Sequence, residues 1–293
     1  MKLLITGSNG QLGHEIQKVA KQAPYTNHTF YFTGSQDLDI CDENALHQFF
    51  SDHEVDVVIN CAAYTAVDKA EEEIDLCERV NMIAPQYIAQ VAQANGARVI
   101  HVSTDYVFDG TNYKPYREDD ATSPCSVYGH TKLAGEEAIL NFCPLSSIVR
   151  TAWLYSVHGN NFVKTMLRLG KERQALNVVV DQIGTPTFAG DLAEALLKMA
   201  FSEIHPGIYH YTDEGVCSWY DFTLAIHEMA NITDCIVSPI PGSNYPTPAA
   251  RPHYSVLDKQ KIRAVYGVKT PYWRDSLRKC IAEMNEIETK RNK

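Results

Sequence analysis

The chain has 293 residues, 45% of them hydrophobic, which is enough to bury a substantial core in one large domain or two unequal ones. A formal net charge of −10 and a pI near 5.5 argue against a general nucleic-acid surface or attachment to acidic membranes. The eight cysteines are scattered without a C-x-x-C pair, and neither a signal peptide nor an apolar run of membrane-spanning length is present, so a cytoplasmic globular protein with reduced thiols is expected.

The run Lys2-Leu3-Leu4-Ile5-Thr6 reads as a first strand, followed at once by Gly7-Ser8-Asn9-Gly10-Gln11-Leu12-Gly13 and a helical pattern over 14–21. Strand, glycine turn and helix in that order suit a dinucleotide, because backbone N–H groups can then approach a pyrophosphate at a helix N-terminus. Gly7, Gly10, Gln11, Leu12 and Gly13 are therefore candidate cofactor contacts, the alternative being an ordinary strand–helix turn. The first glycine gap is one residue wider than in G-x-G-x-x-G. The second strand, Thr29 to Thr33, ends at Gly34-Ser35-Gln36, where a carboxylate would hold a ribose 2′-hydroxyl and mark a preference for NAD. No carboxylate stands there before Asp37, and no arginine is near to hold a 2′-phosphate. The reading leans to NADPH, with NADH accepted. Asp39 and Ile40 could frame the adenine, although Asp39 could equally cap the helical pattern that starts near Asp42.

A third strand over 55–60 runs into Cys61-Ala62-Ala63-Tyr64-Thr65, and the small residues of Ala62 to Thr65 would let the backbone approach a cofactor. Glu71-Glu72-Glu73 reads as a solvated helical face. Asn81 is expected to cap a helix over 82–94 that Gly96 closes. The fourth strand, 98–102, delivers Ser103-Thr104-Asp105-Tyr106 just beyond its carboxyl end, where open α/β sheets place their ligand crevice. After a turn-rich loop, Tyr128-Gly129-His130-Thr131-Lys132 opens a helical pattern. Tyr128 and Lys132 are four apart and share one helical face. An ammonium beside a phenol favours the phenolate and brings the phenol toward acid–base chemistry near neutral pH. Thr104, Tyr128 and Lys132 are the candidate catalytic group. Four strands alternating with at least three helices predict an α/β, doubly wound parallel sheet.

A further strand over 147–151 leads to Trp153, which could stack on a sugar or simply fill the core. Gly159-Asn160-Asn161-Phe162 precedes a helix carrying Lys164, Arg168, Lys171 and Arg173, either a site for an anionic substrate or plain helix-surface charge. Strands are expected over 175–180 and 207–211, with a helix between them. From about 217 the alternation breaks down into a helix, a proline-rich segment from Pro239 to Pro252 and a long charged C-terminal helix. Such a segment suits a loop folded over a site, with Arg251 as its fixed cation for a phosphate. The expected division is a dinucleotide-binding domain of 1–152 and 175–204, and a smaller irregular substrate-binding lobe of 153–174 and 205–293.

Thr6-Gly7-x-x-Gly10-x-x-Gly13, the run Ser103-Thr104-Asp105-Tyr106-Val107-Phe108-Asp109-Gly110 and Tyr128-x-x-x-Lys132 together resemble the extended short-chain dehydrogenase/reductases. Along essentially its whole length the chain resembles, more narrowly, the dTDP-4-dehydrorhamnose reductase family. Ala62 to Glu71, Gly159 to Phe162 and Pro246-Thr247-Pro248-Ala249-x-Arg251-Pro252 are similar to that family's segments. The resemblance implies a Rossmann sheet and NAD(P)H-dependent reduction of the C4 ketone of dTDP-4-dehydro-6-deoxy-L-mannose to dTDP-L-rhamnose. It further implies Tyr128 as proton donor, Lys132 lowering the tyrosine pKa and holding the nicotinamide ribose, and Thr104 bonding the reacting oxygen. Asp105, Trp153, Asn161 and Arg251 become substrate contacts. Related sugar-nucleotide dehydratases carry a glutamate base where Tyr106 stands, so elimination loses its base and carbonyl reduction remains. Some members hold magnesium at a dimer contact. Here Glu15 and Asp191 are present but Gly190 replaces an acid, so no metal is assigned and a homodimer stays open. Two other readings are kept: a reductase of another nucleotide-linked keto-sugar, and a non-catalytic NADP-binding regulatory subunit like that of methionine adenosyltransferase, which retention of Thr104, Tyr128 and Lys132 disfavours.

Overall fold

The computed structural model describes residues 1–291. Strands β1 (Lys2–Thr6), β2 (Thr29–Thr33), β3 (Val57–Asn60), β4 (Arg98–Thr104) and β5 (Ser147–Thr151) join Gly207–His210 in one sheet. Every pairing in it is parallel, and the order runs Gly207–His210, β5, β4, β3, β1, β2. The inner strands are nearly continuous apolar runs because helices cover both faces. Side-chain alternation divides them cleanly. Leu3 and Ile5 face the helices Gln11–Ala20 and Ala189–Ala200, while Leu4 and Val58 face Glu43–Asp52, Ala84–Ala94 and Val127–Phe142.

The chain leaves β1 for β2 on one side and then returns to β3 on the other. That reversal opens a crevice beyond the carboxyl ends of β1 and β3. Register pairs Thr6 with Asn60, so the glycine turn and the Cys61–Thr65 loop emerge side by side.

The division expected from sequence is corrected at two strands. Ala175–Val179 pairs with Ile236–Ile240 in a separate two-stranded sheet, whereas Gly207–His210 forms the sixth strand of the central sheet. Both are short half-apolar runs, and periodicity cannot say which neighbour such a run will meet. The remaining lobe packs Phe162–Glu172, Trp219–Met229 and Trp273–Arg291 around Tyr155, Phe188, Phe222 and Leu277. Among the described residues no helix is long and apolar enough to cross a membrane.

Candidate active site

Backbone packs directly on backbone at the glycine turn. Gly7 has φ +65°, and a Cβ there would lie 2.7 Å from the Ala62 nitrogen; one at Gly13 would lie 2.5 Å from the Gly7 oxygen. Only glycine fits both demands. Gly10 precedes the helix without a side-chain cap, so the first-turn N–H groups of Gln11–Ala20 stay open to an anion. This cradle fits a dinucleotide diphosphate.

Asn81 corrects the sequence reading. It does not cap a helix, because the helical stretch already runs from Ile74 and passes through a π-turn at Arg79–Ile83. Buried there, Asn81 accepts the Tyr64 N–H at 2.9 Å and donates to the Tyr64 carbonyl at 3.0 Å, which fixes the Ala62–Ala63–Tyr64–Thr65 loop beside the cradle. The acidic run is likewise more than a solvated face. Glu71 accepts the Val127 N–H at 2.9 Å, and Glu73 accepts the Tyr64 hydroxyl. At the residues expected to frame an adenine, Asp42 is the one that caps Glu43–Asp52, while Asp39 accepts the Cys41 N–H and Ile40 is buried.

β4 runs two residues further than expected and ends on Thr104 itself. The Thr104 hydroxyl donates to Asp105 at 3.0 Å and accepts the Tyr106 N–H, and it faces the Tyr128 phenol. Ser126 caps the helix Val127–Phe142. Its first turn sits so close to the preceding segment that a Cβ at Gly129 would lie 2.3 Å from the Tyr106 oxygen. The Tyr106 and Tyr128 rings meet edge to face at 5.5 Å. Thr104, Asp105, Tyr128 and Lys132 are thus brought together as expected, all buried.

Their electrostatics differ from the sequence reading. Burial pushes the Tyr128 phenol well above its ordinary range, opposed only by the Thr104 hydroxyl. Among the described residues Lys132 makes no hydrogen bond to the phenol. Its Nζ donates to the Val102 carbonyl at 2.8 Å and lies 3.1 Å from His101 Nε2, and burial pulls the amine down to about 8. The four-residue spacing placed both residues on one face, but the longer side chain turned into the sheet. Asp105 is pushed up to about 6 by burial, against hydrogen bonds from Ser255 and Thr104.

Side chains build the side of the crevice expected to take the substrate. Arg251 reaches from the proline-rich loop to Asp68 at 2.6 Å and to the Tyr106 hydroxyl at 2.9 Å. It is therefore already ion-paired rather than free, a pairing that sequence could not show. Trp153 has φ +49°, a strained geometry costing about 1–3 kcal/mol, and it stacks on Trp219 with centroids 3.5 Å apart. Asn161 caps Phe162–Glu172 and donates to Gln11 at 2.9 Å, tying the lobe to the helix Gln11–Ala20. Of the basic cluster, Arg168 is an exposed partner of Glu172 and Lys164 donates to Gly159. Glu15 bonds Ser156 near Lys18, and Asp191 bonds Ser276 near Lys279.

Sequence reasoning read Asn81 only as a cap and missed Asn60, His101 and the Arg251–Asp68–Tyr106 contact. None carries a spacing signal, since their partners lie far away along the chain.

The family model of the RmlD substrate binding domain matches residues 1–286. The chain is 41% identical over 288 residues to the dTDP-4-dehydrorhamnose reductase of Aggregatibacter actinomycetemcomitans, covering 94% of this chain and 97% of that protein. A dTDP-4-dehydrorhamnose reductase structure from Clostridium acetobutylicum is 47% identical, with a TM-score of 0.93 over 97% of this chain and 100% of that one. Another, from Bacillus anthracis in complex with NADP, is 37% identical, with a TM-score of 0.91 over 96% of this chain and 99% of that one. The chain belongs to the dTDP-4-dehydrorhamnose reductase family.

Proposed function

We propose that this protein reduces the C4 ketone of dTDP-4-dehydro-6-deoxy-L-mannose with NADPH, giving dTDP-L-rhamnose in the cytoplasm. The observation that carries the reading is the meeting of Thr104 and Tyr128 at the carboxyl end of β4, beside a glycine cradle that fits a dinucleotide. When bound, the reduced nicotinamide supplies a hydride to the carbonyl carbon.

Tyr128 donates its proton to the developing alkoxide, and its raised pKa keeps that proton in place at neutral pH until it is needed. Thr104 bonds the same oxygen and aligns it. Lys132 holds the nicotinamide ribose. Gly7, Gly10, Gln11, Leu12 and Gly13 receive the diphosphate of the cofactor, Ala62 to Thr65 line its nicotinamide half, and Asp39 and Ile40 flank the adenine. Asp105, Trp153, Asn161 and Arg251 take the nucleotide sugar. Tyr106, with its hydroxyl held by Arg251, supplies no base for elimination.

The test is a coupled assay with the purified dTDP-4-keto sugar, followed at the nicotinamide absorbance. Turnover with NADPH is expected. Cofactor binding without turnover would overturn the reading in favour of a regulatory subunit.

A further inference from the structure

The acidic run after the Ala62–Thr65 loop does not act as one surface. Glu72 and Glu73 are exposed, whereas Glu71 is half-buried and its Oε1 accepts the Val127 backbone N–H at 2.9 Å. Val127 is the first residue of the helix that carries Tyr128, and an N–H at that position has no acceptor within its own helix. A carboxylate also suits the positive end of a helix. Ser126 takes the Gly129 N–H of the same turn at 3.1 Å. The amide that Glu71 holds is thus the one directly before the proposed proton donor.

The segment around Glu71 reaches every part of the crevice. Three residues earlier, Asp68 accepts the Ala249 N–H at 3.3 Å and pairs with Arg251 of the proline-rich loop. Two residues later, Glu73 accepts the Tyr64 hydroxyl, and Asn81 holds the Tyr64 backbone. Cys77 Sγ lies 3.2 Å from the Thr131 hydroxyl, which donates to the Tyr128 carbonyl at 3.0 Å. The turn cannot advance on Tyr106, since a Cβ at Gly129 would lie 2.3 Å from the Tyr106 oxygen. That steric stop limits approach only. A hydrogen bond is needed to limit fraying, and Glu71 supplies it.

We propose that Glu71 is a positioning residue for the reduction: through the Val127 N–H it fixes the first turn of Val127–Phe142, and with it the Tyr128 hydroxyl, relative to the Ala62–Thr65 loop and Arg251. The role in reduction rests on the function proposed above, whereas the contact does not. Proton donation is sensitive to such a restraint, because a misplacement of about 1 Å can cost about 10²-fold. Glu71 acts on the helix backbone and leaves the ligand contacts named above in place, so rate and affinity should separate.

Single-turnover reduction of the dTDP-4-keto sugar by the NADPH-loaded enzyme tests it. In Glu71→Ala the rate should fall about tenfold, as expected for a small displacement of a general acid. Its solvent deuterium isotope effect should rise, because delivery of the Tyr128 proton becomes limiting, while NADPH and dTDP binding by calorimetry stays unchanged. Glu71→Gln keeps an acceptor for the Val127 N–H and should restore the rate. An unchanged isotope effect, a failure of Gln to rescue, or the same loss in Glu72→Ala, which removes the exposed charge next door, would refute the role. Should Glu71→Ala not fold, Glu71→Asp withdraws the carboxylate by one methylene and must show the same rise in isotope effect, or the role is lost. Amide hydrogen exchange of the free protein gives a readout without turnover. The Val127 N–H should be protected in wild type and in Glu71→Gln and exposed to exchange in Glu71→Ala; rapid exchange in wild type would overturn the proposal. If that amide is protected but the wild type does not turn over the dTDP sugar, the proposed function fails, and the role in reduction with it, while the contact stands.

Discussion

The two ends of the crevice are built from different materials. At the end proposed for the cofactor the decisive contacts are backbone against backbone, with Gly7 on Ala62 and Gly13 on Gly7 at distances that exclude any Cβ. At the end proposed for the substrate they are side chain against side chain: Arg251 on Asp68 and Tyr106, Trp153 on Trp219, Asn161 on Gln11. A backbone cradle reads any diphosphate in the same way and tolerates little change. A set of side chains can be re-paired when a ligand arrives, because each contact trades one partner for another. Tyr128 and Thr104 lie on the seam between the two.

Removing the seam should have the largest effect. Tyr128→Phe deletes the proton donor and should lower kcat by ~10²-fold or more, with NADPH binding by fluorescence nearly unchanged. A Phe variant that kept most of its turnover would place the acid elsewhere.

Asp105 comes next, through stability. Burial raises its carboxyl from 3.8 to about 6, so the folded state binds more protons than the unfolded one between those values. Stability from this group is present at low pH and is lost as pH rises through the folded pKa, a difference of up to about 3 kcal/mol. Asp105→Asn should therefore be the more stable protein at pH 7 in urea denaturation, with a flatter profile between pH 4 and 6. An Asn variant less stable than wild type at pH 7 would mean that the carboxylate has a partner which offsets its burial.

Arg251→Met tests the substrate end alone. It removes the charge while keeping much of the bulk, and the substrate KM should rise about tenfold, or about 1.4 kcal/mol. The NADPH KM should stay put. A parallel loss of NADPH affinity would place Arg251 on the cofactor side. Because Asp68 now holds this guanidinium, Asp68→Asn should not raise the substrate KM in the same way.

The smallest effect belongs to the cofactor end. Asp37 folds back onto the Gly34 N–H at 2.8 Å, and no arginine stands at the end of β2. Comparative kcat/KM values should favour NADPH over NADH by less than about tenfold, as expected where neither a strong attraction nor a strong repulsion acts on the 2′-position. A marked NADH preference would show that a carboxylate reaches that position.

Much of the fold and of the seam was legible before any coordinates. The glycine spacing after β1, the apolar strands and the pairing of Thr104 with Tyr128 are local signals, set by steric limits on the backbone and by strand and helix periods. Asn81 was misread because a cap and a mid-helix residue differ only in where the helix starts, and that start at Ile74 depends on packing. The edge strand Gly207–His210 and the strand Ala175–Val179 exchanged places for the same kind of reason: a half-apolar pentapeptide does not encode its neighbour.

By itself the sequence determined the parallel sheet and the glycine turn after β1, and it singled out Tyr128 as the candidate acid. Tertiary structure decided what those groups feel. Lys132 was read as the charge that acidifies Tyr128, yet folding buried both, turned the amine toward His101 and left the phenol protonated. Arg251 was read as a waiting cation, yet folding gave it Asp68. Residue type and spacing specify which groups are present, but charge state depends on solvent removal and on partners brought together from distant parts of the chain.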